Sequence, residues 1–267
     1  MKATGTKQAL ELPWVRAKNR RRSKWVYDKL WVRNRRGGPW PDPDGTTHHQ
    51  VPSPDGDIRV HVLAGDGTGV IVLSHPDRRY AGHWFVKEGY VTTLHDAGYT
   101  VIWYDNPRYG QGEGGSPYLA ENVLNVAAFA RDLDAGPVHV IGVSLGSFAA
   151  AIAAPHMPWV QRLVLESLYP DFMSWYEGKG RSMERLALGT WRVLFRGDYD
   201  ELQTPKTLAA TEAKILAVAS EEDTVTPAAL SRRAVEGTHA TWYTATGEHL
   251  HLWQDAAYRQ AVLDFLA

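Results

Sequence analysis

After residue 57 the chain alternates between short apolar runs and longer segments in which apolar residues recur every three to four positions. Residues 58–63 alternate apolar and polar behind the turn signal Pro54-Asp55-Gly56, and residues 70–73 are continuously apolar behind the glycine-rich stretch 65–69. Both read as strands. Further strands are predicted over 100–105, 138–143, 162–166, 215–220 and 241–244. Helices are predicted over 84–97, 119–133, 145–154 and 228–236 and from Leu252 to the end, and a mixed helical stretch covers 172–213. Strands that are apolar on both sides need cover on both faces, and the intervening helices supply it. The pattern therefore predicts an α/β class with a mostly parallel central sheet.

Upstream of residue 46 the pattern breaks. The stretch RGGPWPDPDG, residues 36–45, is too rich in Gly and Pro for a helix or strand to persist. It divides the chain into an N-terminal extension, 1–45, and a main domain, 46–267. The pair His48-His49 just after it reads as a solvated loop.

Composition changes this picture in two places. The 267 residues include no cysteine, which excludes a disulfide framework, a thiol nucleophile and a Cys-ligated metal. No run approaches the roughly 20 apolar residues of a membrane span, and the first thirty residues lack the apolar core of a secretory leader. A cytoplasmic location is the expectation. Charge is the second place. Residues 16–36 hold ten Lys/Arg and a single acid, Asp28, whereas 37–267 hold 17 basic residues against 28 acids. On a helix Val26, Tyr27, Leu30 and Trp31 would share one face among these cations. Three readings are open for this arm: a helix docked on the acidic body, peripheral contact with an anionic membrane surface through residues 14–36, or a nucleic-acid strip. The first needs only the charge contrast, and the third lacks any accompanying binding module.

Candidate chemistry sits where ligands bind in such sheets, beyond the carboxyl ends of the strands. The stretch HVIGVSLGSFAA, residues 139–150, places Ser144 between Gly142 and Gly146 at a strand-to-helix junction. As a bland feature Ser144 would be a helix N-cap; as a chemical one it would be a nucleophile on a strained elbow. Asp223 follows the strand 215–220 and His249 follows 241–244. Ser, Asp and His after three separate strands are the residue types of an acyl-transfer triad. Glu221 and Glu222 compete with Asp223, and His251 with His249.

With these stretches in view the chain resembles the α/β-hydrolase family, in particular its small serine esterase- and peptidase-like members, over roughly residues 50–267. The matching motifs are LSHPDRRYAG, YDNPRYGQGEG, GVSLG, SEEDTVTP and TGEHLH. The resemblance implies an α/β-hydrolase fold with a short helical lid at about 170–213. It implies Ser144 as nucleophile, Asp223 as acid and His249 as base, acting on a small-molecule acyl substrate. It also implies an oxyanion hole formed by the backbone N–H groups of Leu145 and Asp77. Three positions depart from the family pattern: Pro76 for Gly, Pro107-Arg108 for Arg-Gly, and Ser220 for the Gly before the acid.

The expected activity is hydrolysis of an ester, thioester or related acyl bond. An acyltransferase or cyclase on the same triad, and a non-catalytic binding protein using the basic arm, are the alternatives. No cofactor and no metal are expected. His75, His83 and His95 form no H-E-x-x-H pairing, and His75 reads instead as a support for the oxyanion loop. The glycines of YGQGEGG do not match a phosphate-binding loop and read as a turn that needs positive φ. Tyr169, Phe172, Trp175, Tyr176, Trp191 and Phe195 lie in or beside the lid region, as core packing or as the wall of an apolar acyl pocket.

Overall fold

The computed structural model describes residues 8–15, 20, 35–36, 40–171, 174 and 201–267. Its centre is an eight-stranded sheet made of β1 (Thr47–Val51), β2 (Ile58–Leu63), β3 (Gly69–Ser74), β4 (Tyr99–Tyr104), β5 (Val138–Val143), β6 (Val160–Glu166), β7 (Lys214–Ala219) and β8 (Thr241–Thr244). The spatial order is β8-β7-β6-β5-β3-β4-β2-β1. β2 runs antiparallel to β1 and β4, and the other neighbours are parallel.

Every residue of β3, β4 and β5 is buried, as apolar runs without alternation require. One face is covered by α1 (His83–Lys87), α2 (Tyr90–Asp96) and α7 (Ala256–Leu266), with Trp84, Phe85, Leu94, Tyr258 and Val262 against Ile71, Val101 and Ile141. The other is covered by α3 (Leu119–Asp132) and α4 (Leu145–Ala153), with Val123, Ala127, Phe148 and Ile152 against Val72, Ile102 and Val140. Each fully buried Val, Leu or Ile of these layers contributes about 1.5–3 kcal/mol of transfer free energy. Two further short helices among the described residues are α5 (Thr204–Ala209) and α6 (Ala228–Val235).

Three expectations are corrected. The helix over 84–97 is two helices, because Gly89 adopts φ 83° and turns the chain between α1 and α2. His48 and His49 lie in strand β1, not in a loop; pairing with β2 organises a stretch with little apolar signal of its own. The last helix starts at Ala256, not Leu252: Asp255 caps it by accepting the N–H groups of Ala257 (2.9 Å) and Tyr258 (3.3 Å), after a single 3₁₀ turn at Leu252–Gln254. The lid residues 172–173 and 175–200, with Phe172, Trp175, Tyr176, Trp191 and Phe195, lie outside the described residues. Tyr169 is in the core, stacked on Phe148.

Of the basic arm, residues 16–19 and 21–34 lie outside the described residues, among them Val26, Tyr27, Leu30 and Trp31. The flanking positions are fastened to α3. Asn125 Oδ1 accepts the N–H of Leu10 (2.7 Å) and its Nδ2 donates to the Leu10 carbonyl (2.9 Å), while Leu12 is buried in the core. The Arg20 guanidinium grips both oxygens of the fully buried Glu121, at 2.6 and 2.7 Å, and also reaches Asp55 at 3.1 Å. Removing one partner of a buried pair leaves the other as an uncompensated charge. Arg20→Met is therefore expected to destabilise the protein by about 3 kcal/mol, seen as a lower urea midpoint at unchanged slope. Arg20→Lys is expected to restore only part, since an ammonium cannot make the two-pronged contact.

Candidate active site

β3 and β5 are sheet neighbours whose following segments diverge, so the switch point of the sheet lies between them. Ser144 follows β5 there. Its backbone sits at φ 53°, ψ −111°, a region that costs a non-glycine residue on the order of 1–3 kcal/mol and persists only where the surroundings enforce it. The enforcement is visible. The Ser144 N–H donates to the Glu166 carbonyl (2.8 Å), and the next turn of α4 is tied down by Ser147 Oγ, which donates to the carbonyls of Gly142 (2.5 Å) and Glu166 (2.6 Å). A side chain at Gly142 would run into the backbone of Gly146 and Ser147, and one at Gly146 into the carbonyls of Ser74 and His75. The two glycines thus let helix, strand and the loop after β3 meet at backbone contact.

From β7 and β8 come Asp223 and His249. Asp223 Oδ2 lies 2.7 Å from His249 Nδ1 and also accepts the Ser167 hydroxyl at 2.8 Å; Oδ1 accepts the N–H groups of Val225 (2.8 Å) and Thr226 (2.7 Å). Burial by itself pushes this carboxyl up. The contact with His249, the Thr226 N–H and the Ser167 hydroxyl outweigh burial and hold it below the ordinary aspartate value. The rivals stand elsewhere: Glu221 is exposed beside Arg232, and the exposed His251 faces Glu88 at 4.0 Å. Ser144 lies on the same carboxyl rim, but its hydroxyl shares no hydrogen bond with His249, whose one hydrogen-bond partner among the described residues is Asp223.

Opposite the elbow is the loop His75-Pro76-Asp77. The His75 ring is fully buried; Nε2 accepts the Asn106 backbone N–H (3.0 Å) and faces its amide nitrogen (2.8 Å), so the proton resides on Nδ1 and is donated to the Pro76 carbonyl at 2.8 Å. Burial lowers the ring's pKa and keeps it neutral, as that pattern needs. The Pro76 carbonyl also accepts the Arg78 N–H (2.8 Å). In a trans peptide the N–H lies opposite the carbonyl, so the N–H of Asp77 is directed away from the His75 ring. Tyr109 donates to Asp77 Oδ1 (2.9 Å) and packs with Ala81 against Leu145. This brings the loop beside the first turn of α4, whose N–H groups have no partners within the helix.

Several of these residues escaped the sequence. Ser167, Asn106 and Tyr109 support the site from behind, and so does Glu166. Ser167 and Glu166 stand at the carboxyl end of β6, where the strand-end rule could have pointed to them; Asn106 and Tyr109 lie inside YDNPRYGQGEG, a stretch matched to the family motif as a whole without a role for either residue.

Comparisons with known proteins bear on the fold. The chain superposes on the Pyrococcus furiosus esterase Pf2001 with a TM-score of 0.68 at 14% identity, covering 86% of this chain and 94% of that one. It superposes on 2,6-dihydroxy-pseudo-oxynicotine hydrolase with a TM-score of 0.63 at 15% identity, covering 83% and 67%. A third match is Rv0554 from Mycobacterium tuberculosis, at TM-score 0.61 and 20% identity, covering 82% and 98%. No family model and no curated protein sequence matches the chain. The protein has the α/β-hydrolase fold.

Behind the rim, Glu166 is fully buried. Its Oε2 accepts the hydroxyls of Tyr90 (2.8 Å) and Tyr258 (2.9 Å), while Oε1 has no partner among the described residues, and burial pushes the carboxyl up to about 7 against the opposing pull of the two tyrosines. A carboxyl whose folded pKa exceeds its unfolded value binds more protons when folded, so stability falls as pH rises from the ordinary glutamate range through about 7. Glu166→Gln is expected to flatten that decline in denaturation curves taken between pH 5 and 8, the variant gaining on the parent at the alkaline end.

Proposed function

We propose that the protein is a serine hydrolase that cleaves an ester, thioester or related acyl bond of a small molecule through an acyl-enzyme. The observation that carries this reading is the strained Ser144 on the same strand-end rim as the hydrogen-bonded His249–Asp223 pair. A conformation costing several times RT at a polar residue between two glycines is more than an N-cap needs, and Ser144 makes no side-chain cap.

Ser144 Oγ attacks the substrate carbonyl while His249 Nε2 takes its proton. Collapse of the tetrahedral adduct breaks the acyl bond, and His249 returns the proton to the leaving group. Water then attacks the acyl-enzyme, gives a proton to His249, and Ser144 recovers it as the acid product departs. Asp223 keeps the imidazole proton on Nδ1 and stabilises the imidazolium. The N–H groups of Leu145 and Asp77 receive the oxyanion, each worth on the order of 3 kcal/mol in the transition state. Contacts between nucleophile and base in such sites tighten as substrate binds.

A fluorophosphonate probe is expected to modify the full chain at Ser144, with modification abolished in Ser144→Ala and strongly reduced in His249→Ala. A folded parent that takes up no probe would overturn the reading. With an activated acyl ester as substrate, Asp223→Asn is expected to lower kcat by about 10³–10⁴ through the wrong imidazole tautomer.

A further inference from the structure

Four side chains from four segments meet at the β1–β2 end of the sheet, apart from the triad residues. Asp42 precedes β1; His48 is on β1, His61 on β2 and His83 at the first position of α1. The Asp42 carboxylate lies 2.9 Å from His48 Nε2, 2.9 Å from His83 Nε2, and 3.1 and 3.2 Å from His61 Nδ1 through its two oxygens. The donor atoms of Asp42, His61 and His83 all fall within 4.8 Å of one another, and among the described residues no other group of His, Asp and Glu converges in this way.

The arrangement is built. His48 and His61 are cross-strand partners in register, so they project on the same face of the sheet. The His61 ring is held parallel to Trp103 at 5.4 Å, and it meets His48 at 82° and His83 at 79°, edge to face. His61 and His83 are buried, and Asp42 is half-buried. The His61 and His83 rings stand nearly perpendicular, each with one nitrogen within hydrogen-bond distance of the Asp42 carboxylate, so the two imidazoles reach it from different directions. A zinc ion with ligands at about 2.0–2.1 Å needs donor atoms roughly 3.3 Å apart; His61 and His83 already stand at 3.1 and 2.9 Å from Asp42, and all three donor atoms lie within 4.8 Å of one another.

We propose that Asp42, His61 and His83 ligate a Zn²⁺ ion, with His48 supporting the site by its bond to the Asp42 carboxylate. Three protein donors hold the ion and leave the fourth tetrahedral position to water. All-nitrogen and oxygen ligands of this kind favour zinc among the common cellular divalent ions over Mg²⁺ or Ca²⁺, which prefer oxygen alone. The protons now shared with Asp42 move to the other ring nitrogens by tautomer exchange, so each imidazole binds as a neutral ligand. The ion would clip the segment before β1 to the sheet and to the start of α1. That helix immediately follows the loop carrying Asp77, which the clip would hold in place.

The test uses the full-length chain, freed of any affinity tag and stripped by chelator, titrated with Zn²⁺ alone and separately with Co²⁺. The expected result is one ion per chain, a higher melting temperature with Zn²⁺, and the intense visible absorption of tetrahedral Co²⁺. Asp42→Asn and His83→Gln are expected to abolish stoichiometric binding. His48→Ala, at a side chain 40% exposed and so tolerant of truncation, is expected to stay folded and lose affinity by about tenfold or more. His95→Ala, an exposed histidine on α2, is the control and should bind as the parent does. Failure of the parent to bind one Zn²⁺, or binding in folded His48→Ala and Asp42→Asn that equals the parent's, would overturn the proposal and leave the quartet as a hydrogen-bonded latch.

Discussion

At the turn from β5 into α4, backbone meets backbone. The carbonyls of Ser74 and His75 lie where a side chain on Gly146 would have to be, and the backbone of Gly146 and Ser147 occupies the same position for Gly142. That contact fixes the distance between the end of β3 and the start of α4, and therefore between the His75–Asp77 loop and the first N–H groups of the helix. It also leaves Ser144 no relaxed conformation. The strain at φ 53° is the consequence of bringing three backbone segments together, and the bonds from Ser147 and to Glu166 hold it. Whatever chemistry the site performs depends on this approach, since one methyl group at either glycine would separate its two halves.

A second constraint reaches inward from the loop. The Pro76 carbonyl is held by His75, His75 by Asn106, and Asn106 Oδ1 accepts from Asn122 on α3 at 2.8 Å. Asn122 Oδ1 in turn accepts the Ser116 N–H at 2.7 Å, and Ser116 Oγ donates to Glu121, which Arg20 neutralises. These groups are buried, so each must be satisfied or cost on the order of 1–3 kcal/mol. A continuous polar chain thus links the loop opposite Ser144 to a residue of the N-terminal arm. Arg20 is more than a surface cation here: it closes the one charge in a network otherwise made of neutral hydrogen bonds.

How much of this could be read from the sequence follows from the range of the interactions. The strands 58–63, 138–143 and 241–244 are written in local apolar runs and agree with the structure residue for residue. Strand β1 is not, because Thr47, His48 and His49 carry no apolar signal and become a strand only by pairing with β2. The helix break at Gly89 was available locally, since a lone glycine in a helical pattern marks a turn as readily as it is tolerated. Ser144, Asp223 and His249 stood out as candidates in the sequence because each follows a strand. Asn106, Ser167 and the Asp42–His48–His61–His83 quartet were not, because what defines them is convergence of distant segments. His48 and His83, weighed separately along the chain, gave no metal pattern. Register and topology bring them to one carboxylate.

Two buried carboxyls stand behind the rim, and their environments set them apart. Asp223 is ringed by donors: two backbone N–H groups, the Ser167 hydroxyl and His249, so its anion is favoured despite burial. Glu166 has two tyrosine hydroxyls on one oxygen and, among the described residues, nothing on the other, and burial prevails. The negative charge of Asp223 itself adds to the pressure on Glu166 to hold a proton. Of the two, it is the carboxyl whose anion is favoured, Asp223, that faces His249 Nδ1. The division follows from counting hydrogen-bond donors at each carboxyl. It is also why Ser167 and the two tyrosines, which touch no substrate in the proposed reaction, belong to the site as much as the residues on its rim.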